Sequence, residues 1–593
     1  MVPTTLHLIP FWKTFLMVLL LPKPIPGIPY RSAAVRNIFG DIPDLLDGTS
    51  RSGKTYMQWI QEQMRELQTP IMQVFIRPFS KPVIILGDFR ESQDILMRSK
   101  DWDRSDMLGE VMNGLLPDHH LGQPTNATWK AHRNLLHNLM SPGFLNNVAA
   151  PGVHRAVSVL ISLWILKAKL AAGKPFSAQD DIYTTALDGV NAFAFGSEFE
   201  YNATRPKLEV LQSIAQDSVD PMLDAAASEN VEEAMDFPEA ELPEVIRATL
   251  DLTAAVEEVQ GSPVVWLKWI LVKLRPHLRK ALTIKDKYIR KELSQALEHM
   301  KREETCDQER NAEGDPRVRS AIDHMVQREK DLATKENREP QFFSSKMMVE
   351  TFGFVIGGHD TTSTTVLWGL KKLADNQESQ SLLRSALQRC YTRARSENRG
   401  PSVDEITTTN IPYLDAVIEE ILRHSGTTPA LDRQAVVDTT VLGYPIPKGT
   451  LLLMLTGGPS LRSPGFEIDE ARRSESCQGA KRQGKTRNEW DNRDIDSFRP
   501  ERWLVPLGDG KVGLHQDGEF DSGAGPMLAF GLGIRGCFGR RLGYLELKII
   551  FALIVWNFEL LPCPKDLSGY SCKMGVTTKP KDTYVRLKRV ILA

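Results

Sequence analysis

The chain has 593 residues with 41% hydrophobic and 25% charged side chains, so it can bury a large core and is neither disordered nor collagen-like. A formal net charge of -2 supplies no overall basic field, which argues against nucleic acid as a partner. The six cysteines, Cys306, Cys390, Cys477, Cys537, Cys563 and Cys572, contain no C-x-x-C pair; this argues against a zinc module and a dense disulfide framework and fits reduced thiols in a cytosol-facing domain.

Residues 1–21 read as an apolar membrane anchor. The run "LHLIPFWKTFLMVLLL" from Leu6 to Leu21 is broken by Pro10 and Lys13 and falls short of the roughly 20 residues that span a bilayer comfortably. A cleaved signal peptide fits less well, because no positive charge precedes the run and no small-residue cleavage site follows it. Residues 22–30, "PKPIPGIPY", read as a stiff proline-rich hinge, and 31–593 as one large domain without internal repeats.

Within that domain helical periodicity covers Val148 to Leu170, Val245 to Leu297 and Phe342 to Leu373. Short β-branched runs mark strands near Val83 to Leu86, Ala435 to Leu442 and Thr450 to Leu455, so the expected class is mainly α with a minor β-sheet region. "VSVLISLWIL" (Val157 to Leu166) is too short for a bilayer and is expected as a core helix; "PVVWLKWILVKL" (Pro263 to Leu274) is read as core-facing ahead of membrane-surface. The stretches Arg302 to Pro316 and Arg462 to Arg493 read as exposed loops without chemistry.

The segment "AFGLGIRGCFGRRLGYLELK" (Ala529 to Lys548) concentrates glycine and arginine around Cys537, just before Leu542, Leu545 and Ile549 recur at helical spacing. A sulfur near a helix N-terminus is stabilised as thiolate, the form that binds metals. The glycines let the backbone turn sharply and approach something flat, and Arg535 can pair with a carboxylate on it. An isolated cysteine is otherwise an inert small hydrophobe. Phe530, Gly533, Arg535, Cys537 and Gly539 together match F-x-x-G-x-R-x-C-x-G, and on this ground the segment resembles the haem-thiolate loop of the cytochrome P450 family.

Other segments resemble the same family in the same order. "GGHDTTSTT" (Gly357 to Thr365) sits inside an apolar helix; the resemblance implies that Gly357 and Gly358 make room for oxygen and that Asp360 and Thr361 deliver protons. The hydroxyls from Thr362 to Thr365 are read as bonding back to helix carbonyls. Glu420 and Arg423 in "EEILRH" share a helix face, and the resemblance adds Arg502 of "FRPERW" to make a structural network. Trp129 and Arg133 of "WKAHR", with Arg433 of "PALDRQA", are implied partners of haem carboxylates. The stretch from Arg462 to Arg493 is longer than the family pattern, and the N-A-T triplets at Asn126 and Asn202 are read as chance.

The resemblance therefore implies a P450-like fold over 31–593 and haem b held by Cys537 as metal ligand. It further implies a fungal-type, membrane-associated monooxygenase of secondary metabolism that oxidises an apolar organic substrate with O₂. Electrons would come from an NADPH-dependent P450 reductase docking near Arg540, Arg541 and Lys548, with the catalytic domain facing the cytosol from the endoplasmic reticulum. A haem-thiolate isomerase or dehydratase, and a non-catalytic haem-binding protein, are the alternatives. The stretch from Trp102 to Pro124 is the expected pocket loop.

Overall fold

Capping side chains fix where the long periodic segments begin to coil. In the computed structural model, which describes residues 20–77, 80–98, 100–217, 232–262, 264–306, 318–506 and 518–591, the Ser344 hydroxyl accepts from Met347 N–H to start the longest apolar helix. Asn126, an N-cap, accepts from Trp129 N–H at 2.9 Å, and Asn202 accepts from the N–H of Arg205, the first residue of the next helix, at 2.8 Å. Helices dominate and the sheets are small, as the periodicity predicts.

The described residues fall into two compact units. The first comprises Met1–Ser105, Thr428–Ser497 and Gly525–Cys537. Its centre is a five-stranded sheet of β1 (Ile71–Val74), β2 (Val83–Leu86), β3 (Trp102–Asp103), β4 (Ala430–Ala435) and β5 (Leu451–Leu455), ordered β1-β2-β5-β4-β3. The β2 and β5 strands run parallel, with Val83 opposite Leu451; the other pairings are antiparallel. β1 and β2 are buried on both faces, which is why "VIIL" shows no alternation. The strand expected at Ala435 to Leu442 instead starts at Ala430, and a turn separates it from the short strand Thr439–Val441.

Two loop expectations change here. The proline-rich stretch is docked against β1: buried Gln73 accepts from Ile25 N–H at 2.8 Å and donates to the carbonyls of Ile25 and Ile28 at 2.9 and 2.8 Å. The stretch Arg462 to Arg493 carries a helix, Glu475–Arg482, and is held by ion pairs rather than loose. Buried Arg473 forks onto Asp88 at 2.6 and 3.1 Å, and Arg90 forks onto Glu470 at 3.0 and 2.8 Å. The anchor expected at residues 1–21 lies, apart from Leu20 and Leu21, outside the described residues, as does most of Arg302 to Pro316.

The second unit, Asp106–Thr427, Phe498–Ala524 and Phe538–Ala593, is mostly helical. Its main helices are α1 (Ala127–Leu135), α2 (Ala150–Ala171), α3 (Gln179–Phe195), α4 (Ser345–Asp375), α5 (Pro412–Ser425) and α6 (Arg540–Asn557). A Cβ on Gly358 of α4 would lie 2.4 Å from Val190 Cγ2 of α3, so this glycine sets how closely the two helices cross. The segment Pro142–Ala171, which includes α2, is long and apolar enough to cross a membrane, yet Leu160, Leu163 and Trp164 are buried within the unit, as a core helix requires.

The periodic run from Val245 to Leu297 divides into Glu244–Gln260, Val265–Lys273 and a helix from Pro276 to Cys306. Here the core-facing reading of "PVVWLKWILVKL" is corrected. Trp269 and Val272 are buried, while Trp266 is 68% exposed and Ile270, Leu271 and Leu274 are each at least half exposed. Apolar residues occupy nearly every position of this short helix, so one face packs and the rest meets the surroundings.

Candidate functional site

In the first unit the Cys537 loop owes its shape to two glycines in the left-handed region, Gly531 at φ 61° and Gly533 at φ 68°. Gly533 is also sterically required, because a Cβ there would lie 2.5 Å from the Leu96 carbonyl oxygen. A single helical turn, Gly533–Arg535, follows, and Cys537 N–H donates back to the Phe530 carbonyl at 2.7 Å, closing the loop. Cys537 is exposed. Gly539, the N-cap of α6, has an ordinary φ of -78° and open space around it, so its backbone alone would accept other residues.

Beside this loop, β4 brings a cluster of cations. Arg104 donates to Asp432 Oδ1 at 2.8 Å, and Ser105 donates to Oδ2 from its amide and hydroxyl at 3.1 and 2.6 Å. Arg433 is 3% exposed and donates to its neighbour's carbonyl at 2.8 Å. Burial, then the charge of Arg104, pushes both Arg433 and Arg535 down to about 10. The guanidinium groups of Arg104, Arg433 and Arg535 gather here with the carboxylates of Asp103 and Asp432 in a desolvated corner. Guanidinium groups bind carboxylates in a forked geometry, and an exposed thiol on a glycine loop is a soft metal donor; both features fit haem b.

In the second unit α1 presents Trp129 and Arg133 together: the Arg133 guanidinium lies 5.8 Å from the Trp129 ring centroid and 4.3 Å over that of Phe538, the residue after Cys537. Glu420 of α5 is fully buried. It accepts from Arg423 Nε and Nη2 at 2.9 and 2.7 Å, from Arg502 Nε at 3.1 Å, from Trp503 Nε1 at 2.9 Å and from the Arg499 amide at 2.8 Å. Although burial alone raises it, Arg423 and then His424 hold its carboxyl far below the usual range.

Asp360 and Thr361 share α4 but serve different partners. Tyr183 of α3 donates to Asp360 Oδ1 at 3.1 Å, Thr577 donates to Oδ2 at 2.9 Å, and Lys579 Nζ lies 2.6 Å from Oδ1. Lys579 also contacts Glu257; burial opposes its charge, but the two carboxylates hold its ammonium above the ordinary value. The Thr361 hydroxyl donates to the Gly357 carbonyl at 2.8 Å, the back-bond of a helical threonine. Gly357 opens onto free space, whereas Gly358 is filled by the α3 contact, so only the first of the two leaves room beside the helix. Of the hydroxyls read as back-bonding, Ser363 and Thr365 do so; Thr362 donates to Glu546 at 2.7 Å and Thr364 bonds Thr577 at 3.3 Å.

Sequence reasoning did not find Tyr183, Thr577 or Lys579, which reach Asp360 through tertiary packing with no spacing signal, nor Glu257, which reaches Lys579 in the same way. Nor did it find that Lys548, read as a docking lysine, pairs with Asp415 at 2.7 Å, or that Arg541 donates to the Met140 carbonyl at 3.1 Å.

The family description Cytochrome P450 matches residues 52–462 and 484–587. The chain is 45% identical over 580 residues, 96% of each chain, to cytochrome P450 monooxygenase TRI13 of Fusarium sporotrichioides. It is 34% identical to cytochrome P450 monooxygenase xilC of Penicillium rubens, over 96% of this chain and 93% of that one. The solved haem domain of cytochrome P450DA superposes with a TM-score of 0.62 at 17% identity, over 96% of this chain and 98% of that one, a likeness of fold. The chain belongs to the cytochrome P450 family and is a haem-thiolate monooxygenase, an oxidoreductase.

Proposed function

We propose that this monooxygenase oxidises an apolar, medium-sized organic substrate in a secondary-metabolite pathway, with Cys537 as the axial ligand of haem b. The observation that carries this reading is the glycine-shaped Phe530–Cys537 loop, closed by its own hydrogen bond, with the guanidinium groups of Arg433 and Arg535 gathered in the same unit. When bound, haem supplies the chemistry that places one atom of O₂ in the substrate and reduces the other to water with two electrons drawn from NADPH. Arg433 and Arg535, together with Trp129 and Arg133, are assigned to its carboxylates; Phe530, Gly533 and Gly539 shape the loop. Glu420, Arg423 and Arg502 are assigned a structural role.

Asp360 is assigned to proton delivery, and the Lys579 ammonium is the ionised donor that touches it. Thr361, bonded to the Gly357 carbonyl, is assigned to the same path; it would exchange that back-bond for a water or substrate oxygen. Electrons are assigned to a separate NADPH-dependent P450 reductase. Residues 31–593 are assigned to one catalytic domain, with 1–21 as anchor and the catalytic domain on the cytosolic side of the endoplasmic reticulum. The exposed apolar helix Val265–Lys273, which carries Lys268 and Lys273, supports contact with a lipid surface.

The test is the reduced carbon monoxide spectrum of the full chain. The parent protein is expected to show the red-shifted Soret band of thiolate-ligated haem, and Cys537→Ala is expected to abolish it. A band that survives the substitution would overturn the ligand assignment. Product formation that requires NADPH and reductase, rather than peroxide turnover without them, separates a monooxygenase from an isomerase.

A further inference from the structure

Glu350 lies on the second turn of α4, is fully buried, and gathers three histidines from two other segments. His120 gives it two bonds, from its amide to Oε1 at 3.1 Å and from Nδ1 to Oε2 at 2.6 Å. His132 Nδ1, on α1, lies 2.6 Å from Oε1, and His119 Nε2 lies 3.2 Å from Oε2. The cluster is built for its ring contents: a Cβ on Gly353, one turn along α4, would strike His119 Nε2 at 2.1 Å. Although burial alone raises it, His119 and His120 hold the Glu350 carboxyl well below its usual value, whereas burial pushes the His120 ring down to about 4. A Glu350 carboxylate beside a neutral His120 imidazole is the consistent pair of states.

The side-chain atoms of His119, His120 and Glu350 lie within 4.8 Å of one another, the spacing of a metal site. The hydrogen bonds argue for a different role. Leu121 N–H donates to His119 Nδ1 at 3.2 Å, so a neutral ring carries its proton on Nε2, and a protonated nitrogen has no lone pair for a metal. The three ring nitrogens, together with the His120 amide, surround one carboxylate and fill its lone-pair sites.

The two arms of this hub end at the same place. His132 immediately precedes Arg133 on α1, and the His120 ring meets Phe538 edge-on, with centroids 6.2 Å apart, while Arg133 lies 4.3 Å over the same Phe538 ring. We propose that Glu350 is a positioning residue for Arg133: through His132 it fixes the rotation of α1, and through His120 it fixes the Phe538 ring on which the guanidinium rests. The proposal builds on the assignment of Arg133 to a haem carboxylate.

The experiment is a double-mutant cycle between Glu350→Gln and Arg133→Gln on the full-length holoprotein. It reads the rate of haem transfer to apomyoglobin and the ferric–ferrous potential. Glu350→Gln is expected to speed haem loss about tenfold when Arg133 is present and less than about twofold when Arg133 is replaced, the non-additivity of residues that act through one another. The potential is expected to move in the first background and stay fixed in the second. Equal factors in both backgrounds, or no change in either, would overturn the proposal. Should Glu350→Gln not fold, His132→Leu severs the α1 arm alone and enters the same cycle with the same expected and opposing outcomes. A parent protein without the thiolate Soret band would instead sink the haem assignment itself, which this cycle does not address.

Discussion

Lys579 Nζ sits 2.6 Å from Asp360 Oδ1 while also contacting Glu257, so one ammonium bridges the acid of α4 and a carboxylate on Glu244–Gln260. Asp360 is thereby paired at a buried position, with the Tyr183 and Thr577 hydroxyls filling its remaining acceptor sites. Lys579→Met removes the positive charge but keeps the length of the side chain. Product formed per NADPH is expected to fall at least about tenfold, with the thiolate Soret band intact. Unchanged coupling would remove Lys579 from the proton path and leave it a structural ion pair.

The Glu420 network is the second target. Glu420→Ala takes the shared acceptor from Arg423, Arg502, Trp503 and the Arg499 amide in a site closed to water. Breaking a buried ion pair costs about 3–5 kcal/mol, which would appear as a lower denaturation midpoint and poor haem retention. A loss below about 1 kcal/mol would mean that the network is dispensable.

Helix crossing supplies the third. Gly358→Ala adds a methyl 2.4 Å from Val190 Cγ2, so α3 and α4 must separate or a side chain must move. Overpacking costs about 1–3 kcal/mol and helix propensity returns about 1 kcal/mol, for a net loss seen in the melting temperature. Adding Val190→Ala is expected to restore stability; failure to do so would locate the strain elsewhere.

Glu546 gives a pH dependence of definite sign. Burial pushes its carboxyl up to about 8, only partly opposed by the Thr362 hydroxyl at 2.7 Å. Between the ordinary value of 4.5 and about 8 the folded chain holds a proton that the unfolded chain has released. Stability from this group is therefore full below 4.5 and declines by about 1.4 kcal/mol per pH unit as pH rises toward 8. Glu546→Gln is expected to flatten that slope in urea titrations at pH 5, 6.5 and 8. Parallel slopes for both proteins would exclude the buried proton.

What could be read from sequence was local. The turn at Gly533, the sulfur at Cys537 and the i, i+3 pair Glu420–Arg423 depend on short spacings, and spacing survives in a string of letters. Arg502 was within reach because its own hexapeptide resembled a family segment. Lys579, Tyr183 and Glu350's histidines were not, since their meeting depends on how α1, α3 and the C-terminal strands pack on α4. The charged stretch after Arg462 misled for a related reason: Arg473 looks solvated until Asp88, far earlier in the chain, is brought against it. The exposed face of Val265–Lys273 misled in the opposite direction, because apolar letters alone do not say which of them find a partner.

The Gln73 clasp on Ile25 and Ile28 has a mechanical consequence. Three backbone groups of the proline-rich stretch are riveted to the first strand of the central sheet, so a pull on the upstream chain is borne by the sheet instead of by a loose swivel. Shortening the protein as far as Pro22 spares the rivet, whereas cutting beyond Pro29 strands a buried amide and opens the flank of the sheet it had sealed.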